Sequence, residues 1–479
     1  MTNHPWIQTS PNTYSQTFGF MERFFTRFLG EEGKPSQFTI VATLELRIPS
    51  GSNSSPISVL ESNLRSTWRA MRYYSPGLAT LTGPTGKIYH VAATPAVLEK
   101  WEAATFIRHP EGTQAEALFS TLTRANMVTM HFLPCTAGIA SDDGVHQLVL
   151  QAEHHHIDGR GVYYFLHRFL TILSTPELRS GLEFGDEWTR LPTVMDDLLE
   201  LSATPTAEEL DIAREWISPV LSSNTTPVTV PIRPKKQTQP PGRSLRSALR
   251  LSRAQTSAII TACKAHGVTV TSAWTAGLAL ALSTPSATTT TTPALTTFAT
   301  VDMRRYFPPP TSSSPPSSPH PAAPVSCYHS AIPLSIPIPA TTTFTSLAAE
   351  LTALFHGGSI TPVRNTAWIP FVSMMGDIIA SSTSQLQQQA AIASSGILIS
   401  SLGVVNDYIG KTYGEVEVRD VWIGDVMMGG TSLWMCETWD GRLGLSVTYN
   451  EAYYEEGEMT GVLERVNGVM VGGLGLGLE

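Results

Sequence analysis

Apolar positions alternate along residues 38–49, a run rich in Val, Ile, Thr and Leu, which predicts a strand. Residues 56–74 switch to helical spacing, with Val59, Leu60, Leu64, Trp68 and Met71 on one stripe, and predict a helix. Two more strand-like runs, 127–133 and 145–152, are joined by a loop containing Gly and Asp. The second run leads through a histidine-rich loop into a helical pattern over 161–173.

The character changes after that helix. Residues 222–243 carry Pro227, Pro231, Pro234, Pro240 and Pro241. Missing donors and a fixed φ make this stretch an extended crossover. A strand pattern follows at 245–251. Ser252 and Gln255 then form a capping box in front of a helix that ends before Gly267. Thr271 is the expected cap of a second helix, 272–282. Residues 283–293 are mainly Thr and Ser, and 308–324 mainly Pro and Ser. Neither holds enough apolar surface to fold alone, so both read as surface inserts. Between them, the apolar segment 294–303 runs into Asp302-Met303-Arg304-Arg305, a charged turn at a strand end. Strands are expected at 397–405, 416–423, 432–439 and 443–450. A final helix is expected over 458–471, followed by a fraying glycine-rich tail, 472–479. The alternation predicts an α/β protein in two halves: residues 1–221, the crossover 222–243, and residues 244–479.

With 479 residues the chain can bury two or three domains' worth of core. Its net charge of −9 and lack of a basic tract argue against nucleic acid and anionic membrane surfaces as partners. Residues 1–13 are polar and lack a signal pattern, and no apolar run is long enough to span a bilayer. Cys135, Cys263, Cys327 and Cys436 show no CxxC or ligand spacing and fit reduced thiols in the cytoplasm.

The candidate chemistry lies in Glu153-His154-His155-His156-Ile157-Asp158-Gly159, at the strand-to-helix loop. One reading takes His154 as a base, Asp158 as a brace for the loop, and Gly159 as the residue allowing a tight turn. A second takes the run as a polar cluster with Asp158 capping the helix. A third takes His154, His156 and Asp158 as the start of a zinc site. That reading needs further ligands, and His167, His266, His320, His329 and His356 offer no ligand-spaced pair.

His154, Asp158 and Gly159 match the HXXXD pattern, and the chain resembles the chloramphenicol acetyltransferase-like superfamily. This superfamily includes BAHD acyltransferases, peptide-synthetase condensation domains and fungal trichothecene O-acetyltransferases. The resemblance extends to Val301-Asp302-Met303-Arg304 before Pro308-Pro309-Pro310. It extends also to Trp439-Asp440-Gly441-Arg442-Leu443 and Ser446-Val447-Thr448-Tyr449-Asn450. Two departures stand out. Glu153 occupies the position where the family often carries a first histidine. Asn406-Asp407-Tyr408-Ile409-Gly410-Lys411 stands where plant enzymes have Asp-Phe-Gly-Trp-Gly. The inserts resemble those of filamentous-fungal enzymes of secondary metabolism.

The resemblance implies two similar α/β lobes, each a mixed sheet flanked by helices, with the active site in a channel between them. It implies His154 as general base for transfer of an acyl group, acetyl first, from acyl-CoA to a hydroxyl of a small metabolite. It implies no bound cofactor, no metal, and a monomer. Asp158 would pair with Arg304 of the second lobe, or failing that Arg305. The Gly159 amide, Ser400 or Ser401 would supply oxyanion donors. The alternatives are condensation with a carrier-protein thioester, a non-catalytic binding protein on the same fold, or a zinc hydrolase.

Overall fold

The computed structural model describes residues 3–47, 57–135, 144–202, 204–220, 224–232, 242–283, 291–308, 323–356, 366–367, 369–374 and 396–477. Residues 309–322 of the insert 308–324 and residues 284–290 of the insert 283–293 lie outside these residues; Thr292 and Pro293 are the first residues of a strand.

In chain order the elements begin with β1 (Ile7–Ser10), β2 (Thr13–Thr17), α1 (Phe20–Thr26), β3 (Thr39–Arg47) and α2 (Ile57–Tyr74). Next come β4 (Thr80–Thr82), β5 (Gly86–His90), α3 (Pro95–Thr105), β6 (Phe106–Arg108), α4 (Ala115–Phe119), β7 (Thr129–Leu133) and β8 (Val145–Glu153). They continue with α5 (Gly159–Ser174), α6 (Met195–Leu198), α7 (Ala207–Val220), β9 (Thr225–Pro227), β10 (Ser244–Arg250), α8 (Arg253–Ala265) and α9 (Val270–Leu282). The last are β11 (Thr292–Asp302), β12 (His329–Pro337), α10 (Phe344–His356), β13 (Ile397–Val404), β14 (Thr412–Tyr413), β15 (Val416–Asp425), β16 (Ser432–Trp439), β17 (Arg442–Asn450) and α11 (Glu456–Gly473).

These elements form two compact units, each assembled from separate stretches of chain. The first takes Met1–Leu201, Asp302–His329 and Val405–Val426; the second takes Ser202–Val301, Ser330–Val404 and Met427–Glu479. Arg304 was expected to belong to a second lobe. It returns instead to the unit that carries the histidine loop.

The first unit holds a six-stranded mixed sheet in the order β14-β15-β3-β8-β7-β6 and a four-stranded sheet, β1-β2-β5-β4. β3 and β8 lie at the centre of the larger sheet. Both are buried along most of their length, which explains why they read as nearly continuous apolar runs. Their antiparallel register places Thr39 opposite Glu153, so the end of β8 is fixed by the start of β3. α5 buries Val162, Phe165, Leu166, Phe169, Leu170 and Leu173, the i, i+3, i+4 stripe expected of a helix packed on one face.

The second unit pairs a sheet in the order β10-β17-β16-β13 with a smaller one, β12-β11-β9. Its core gathers Trp274, Trp434, Tyr449, Tyr454 and Leu463. α9 packs against α11 closely enough that a Cβ on Gly277 would lie 3.0 Å from the Val466 carbonyl oxygen. The Ser252–Gln255 capping box is present, and Gly267, at φ +66°, ends α8 in the left-handed region that favours glycine. The cap of α9 differs from expectation. It is Thr269, whose side chain accepts from the Ser272 amide, while the Thr271 hydroxyl is 2.7 Å from that of Ser401.

Candidate active site

The histidine run sits where β8 leaves the centre of its sheet and turns into α5. Glu153, the last strand residue, points to the β3 side. It accepts from the Ser36 hydroxyl at 3.0 Å and the Thr39 hydroxyl at 3.1 Å. Burial pushes its carboxyl up to about 7, although those two hydroxyls and Arg124 favour the charged form.

The three histidines have different surroundings. His155 and His156 are buried and turn toward β4. His155 Nε2 shares a 2.7 Å hydrogen bond with the Thr82 hydroxyl, and His156 Nδ1 is 3.2 Å from that of Thr80. Burial lowers the His156 imidazole to about 3, helped by the charges of Lys87 and Arg124, and pushes His155 down as well.

His154 is the one partly exposed member of the run. Its ring stacks flat on Phe25, with centroids 3.9 Å apart, and stands 4.9 Å from the His329 ring. Nδ1 is shut off from solvent without a hydrogen-bond partner among the described residues. Enclosure by protein, and then the neighbouring His329, lower its pKa to about 3, so the ring is neutral at cell pH. A neutral imidazole on a partly open face is a proton acceptor.

Asp158 points away from that face. It caps α5 by accepting from the Gly161 amide at 2.7 Å. The same oxygen accepts from Arg304 Nη1 at 3.0 Å, and the other accepts from the Tyr328 amide at 2.6 Å. Burial alone would raise this carboxyl. Arg304, His329 and the hydrogen bonds outweigh it and hold the carboxyl at about 2. Arg304 also donates to Asp302 at 3.2 Å and to the Ser326 hydroxyl at 3.3 Å, and lies over the ring of Tyr328. Arg305, the alternative partner, is exposed and lies over Tyr306. Gly161 allows this close packing. A Cβ there would lie 2.6 Å from the Pro324 carbonyl oxygen and 3.1 Å from Arg304 Nη2.

Gly159 opens α5, so its amide is one of the first-turn N–H groups with no helical acceptor. Ser400 and Ser401 lie on β13 of the second unit. The segment from Asn406 brings Tyr408 against Tyr163 of α5, centroids 5.8 Å apart, and under the Arg160 guanidinium.

The zinc reading of His154, His156 and Asp158 is not assembled. His156 is committed to threonines and Asp158 to Arg304. Among the described residues, the groups close enough to share an ion are His154, Cys327 and His329. The sequence reading passed over Cys327 and His329. Their signal was the alternate spacing Cys327-Tyr328-His329, which puts two side chains on one side of an extended segment. Phe25 had no signal, being far from the loop in sequence.

The family described as "Phthiocerol/phthiodiolone dimycocerosyl transferase C-terminus" matches residues 240–315. An O-acetyltransferase, pigM, of Monascus ruber is 24% identical, covering 94% of this chain and 83% of its own length. An acetyltransferase, pigO, of the same organism is 25% identical over 98% of each chain. Among solved structures, the trichothecene 15-O-acetyltransferase TRI3 from Fusarium sporotrichioides superposes with a TM-score of 0.80 at 14% identity, covering 98% of this chain and 97% of that one. The first condensation domain of the CDA synthetase gives 0.62 at 13% identity over 96% of each. The fold is therefore that of the chloramphenicol acetyltransferase-like and condensation proteins.

Two stability predictions follow from the loop. Removing one partner of a buried charge pair leaves the other uncompensated, at roughly 3–5 kcal/mol. Asp158→Ala and Arg304→Ala should each lower the melting temperature, and Arg305→Ala should not. Asp158→Asn with Arg304→Gln should recover part of the loss in denaturant melts, because two amides can hydrogen-bond; additive losses would mean the side chains act independently.

The second concerns Glu153. Its folded pKa, about 7, lies above its unfolded value, so its contribution is full below the unfolded value and is lost as pH rises through 7. Glu153→Gln keeps an acceptor for one hydroxyl and removes the charge. In chelator-treated protein, the melting temperature of Glu153→Gln relative to wild type should rise between pH 5 and pH 8. A difference that stays flat or falls would show that the carboxylate is not penalised by burial.

Proposed function

We propose that this chain, an acyltransferase of the chloramphenicol acetyltransferase-like superfamily, moves an acetyl group from acetyl-CoA to a hydroxyl of a small secondary metabolite. His154 is the general base. The observation that carries this reading is the contrast within the run: His155 and His156 are tied to threonines, while His154 is neutral, partly exposed and stacked on Phe25.

The chemistry balances without a bound cofactor. The acceptor oxygen attacks the thioester carbonyl carbon as its proton passes to the His154 imidazole. The carbon–sulfur bond then breaks, and the departing CoA thiolate takes the proton back. An imidazole that starts neutral has no proton to shed before it acts. The Gly159 amide is our first choice of donor to the oxyanion, with the hydroxyls of Ser400 and Ser401 next. Asp158 takes no proton. Held charged by Arg304 and by two backbone amides, it fixes the turn that presents His154.

The name of pigM as an O-acetyltransferase supports oxygen as the acceptor atom. Four free cysteines, three of them buried, support a reducing cytoplasmic setting. We take the protein to be a monomer. The similarity to condensation domains supports a second reading, in which the acyl group arrives on a carrier-protein thioester.

His154→Ala should lower kcat by about 10²–10⁴-fold at unchanged melting temperature. The measurement is mass spectrometry of products from purified protein, acetyl-CoA and a set of hydroxylated metabolites. If His155→Ala or His156→Ala abolishes turnover without loss of fold and His154→Ala does not, the base is another residue. Turnover only with a carrier-bound acyl group would favour the condensation reading.

A further inference from the structure

We infer that His154, Cys327 and His329 form a site for Zn²⁺, and that its occupation silences the base. The ligand atoms of these residues all lie within 4.8 Å of one another. Cys327 Sγ and His329 Nδ1 are already 3.7 Å apart. A tetrahedral zinc ion with nitrogen at about 2.0 Å and sulfur at about 2.3 Å holds two nitrogens roughly 3.3 Å apart and nitrogen and sulfur roughly 3.5 Å apart. The widest pair, within 4.8 Å, must therefore close by at most about 1.5 Å.

The surroundings fit a thiophilic ion. Two imidazoles and a thiol form the donor set that suits zinc better than a hard, oxygen-seeking cation. Cys327 and His329 are buried, which excludes competing water, while His154 provides the open side through which an ion enters. The Cys327 thiol gives up its proton to solvent as the metal–sulfur bond forms. The Asp158 carboxylate favours a cation here, and the Arg304 guanidinium partly offsets it. Three protein ligands leave one coordination position open, as in zinc sites that exchange their metal and bind small molecules.

The consequence for catalysis rests on His154 being the base. A lone pair committed to zinc cannot accept a proton, so zinc competes with turnover; it does not assist it. Binding itself is independent of that reading and can be measured without substrate.

The test uses the full chain after chelator treatment, titrated with Co²⁺ as the optical stand-in and Zn²⁺ as its competitor. We expect one equivalent of Co²⁺ to give a thiolate-to-metal charge-transfer band, and one equivalent of Zn²⁺ to remove it. Cys327→Ser should lose the band, and His329→Gln should weaken Zn²⁺ uptake by at least tenfold. Cys135→Ser, which removes the thiol beside His146, should keep both properties; circular dichroism confirms that each variant is folded. In wild type, Zn²⁺ should stop acyl transfer and EDTA should restore it. Absence of the band in wild type, its survival in folded Cys327→Ser, or undiminished Zn²⁺ uptake by folded His329→Gln would overturn the site. A normal band in a protein that transfers no acetyl group would leave the metal site standing and refute the proposed function instead.

Discussion

The Asp158 carboxylate holds the histidine loop in place. It is buried, and burial of an unpaired carboxylate is unfavourable. Three donors converge to offset that cost: the Gly161 amide, the Tyr328 amide and Arg304 Nη1. Each comes from a different feature, namely the first turn of α5, the approach to β12, and the turn after β11. One side chain therefore fastens three segments, two of them more than 140 residues away in sequence. The helix cap and the charge pair are the same group, so the capping and bracing readings of Asp158 were never exclusive.

That clamp allows three adjacent histidines to differ. Where β8 ends, the hydroxyls on β4 capture the second and third imidazoles, and the first is left against Phe25. Flat stacking at 3.9 Å fixes the plane of the ring without using either nitrogen. A hydrogen bond donated by the ring to a side-chain carboxylate would have fixed it too, but would also have raised its affinity for a proton. Among the described residues, the carboxylate that acts on His154 is Asp158, which does so at a distance and is turned toward Arg304.

The strongly periodic elements were legible in the sequence because their patterns are set by burial. β3, α2, β8, α5, α8, β16 and β17 fall within a few residues of expectation. Elements with weak patterns were not found. β1 is exposed along its whole length, and β4 has only three residues. Thr80 and Thr82, which sort the histidines, lie in that short strand. The α9 cap was displaced by two residues because Thr269 and Thr271 are chemically equivalent caps; the hydrogen bond of Thr271 to Ser401 is a tertiary choice. Cys327 and His329 carried no signal as a histidine pair or a cysteine pair, because one is a thiol and the other an imidazole, and the set closes only when His154 arrives from another segment.

Glu153 shows how far the loop departs from the usual pattern without losing its form. A histidine in its place would be one more imidazole beside a run already crowded by them. The carboxyl instead faces Ser36 and Thr39, which also fixes the start of β3 against the end of β8. Its raised pKa means that it can be neutral near cell pH, so it adds little field at His154. The same reasoning applies to His154. Burial keeps its imidazole neutral and lowers its affinity for a proton, while the second imidazole and the thiol beside it are ligands that a soft cation favours. An acceptor hydroxyl would deliver a proton and leave, whereas an ion held by Cys327 and His329 would block the ring until it was removed.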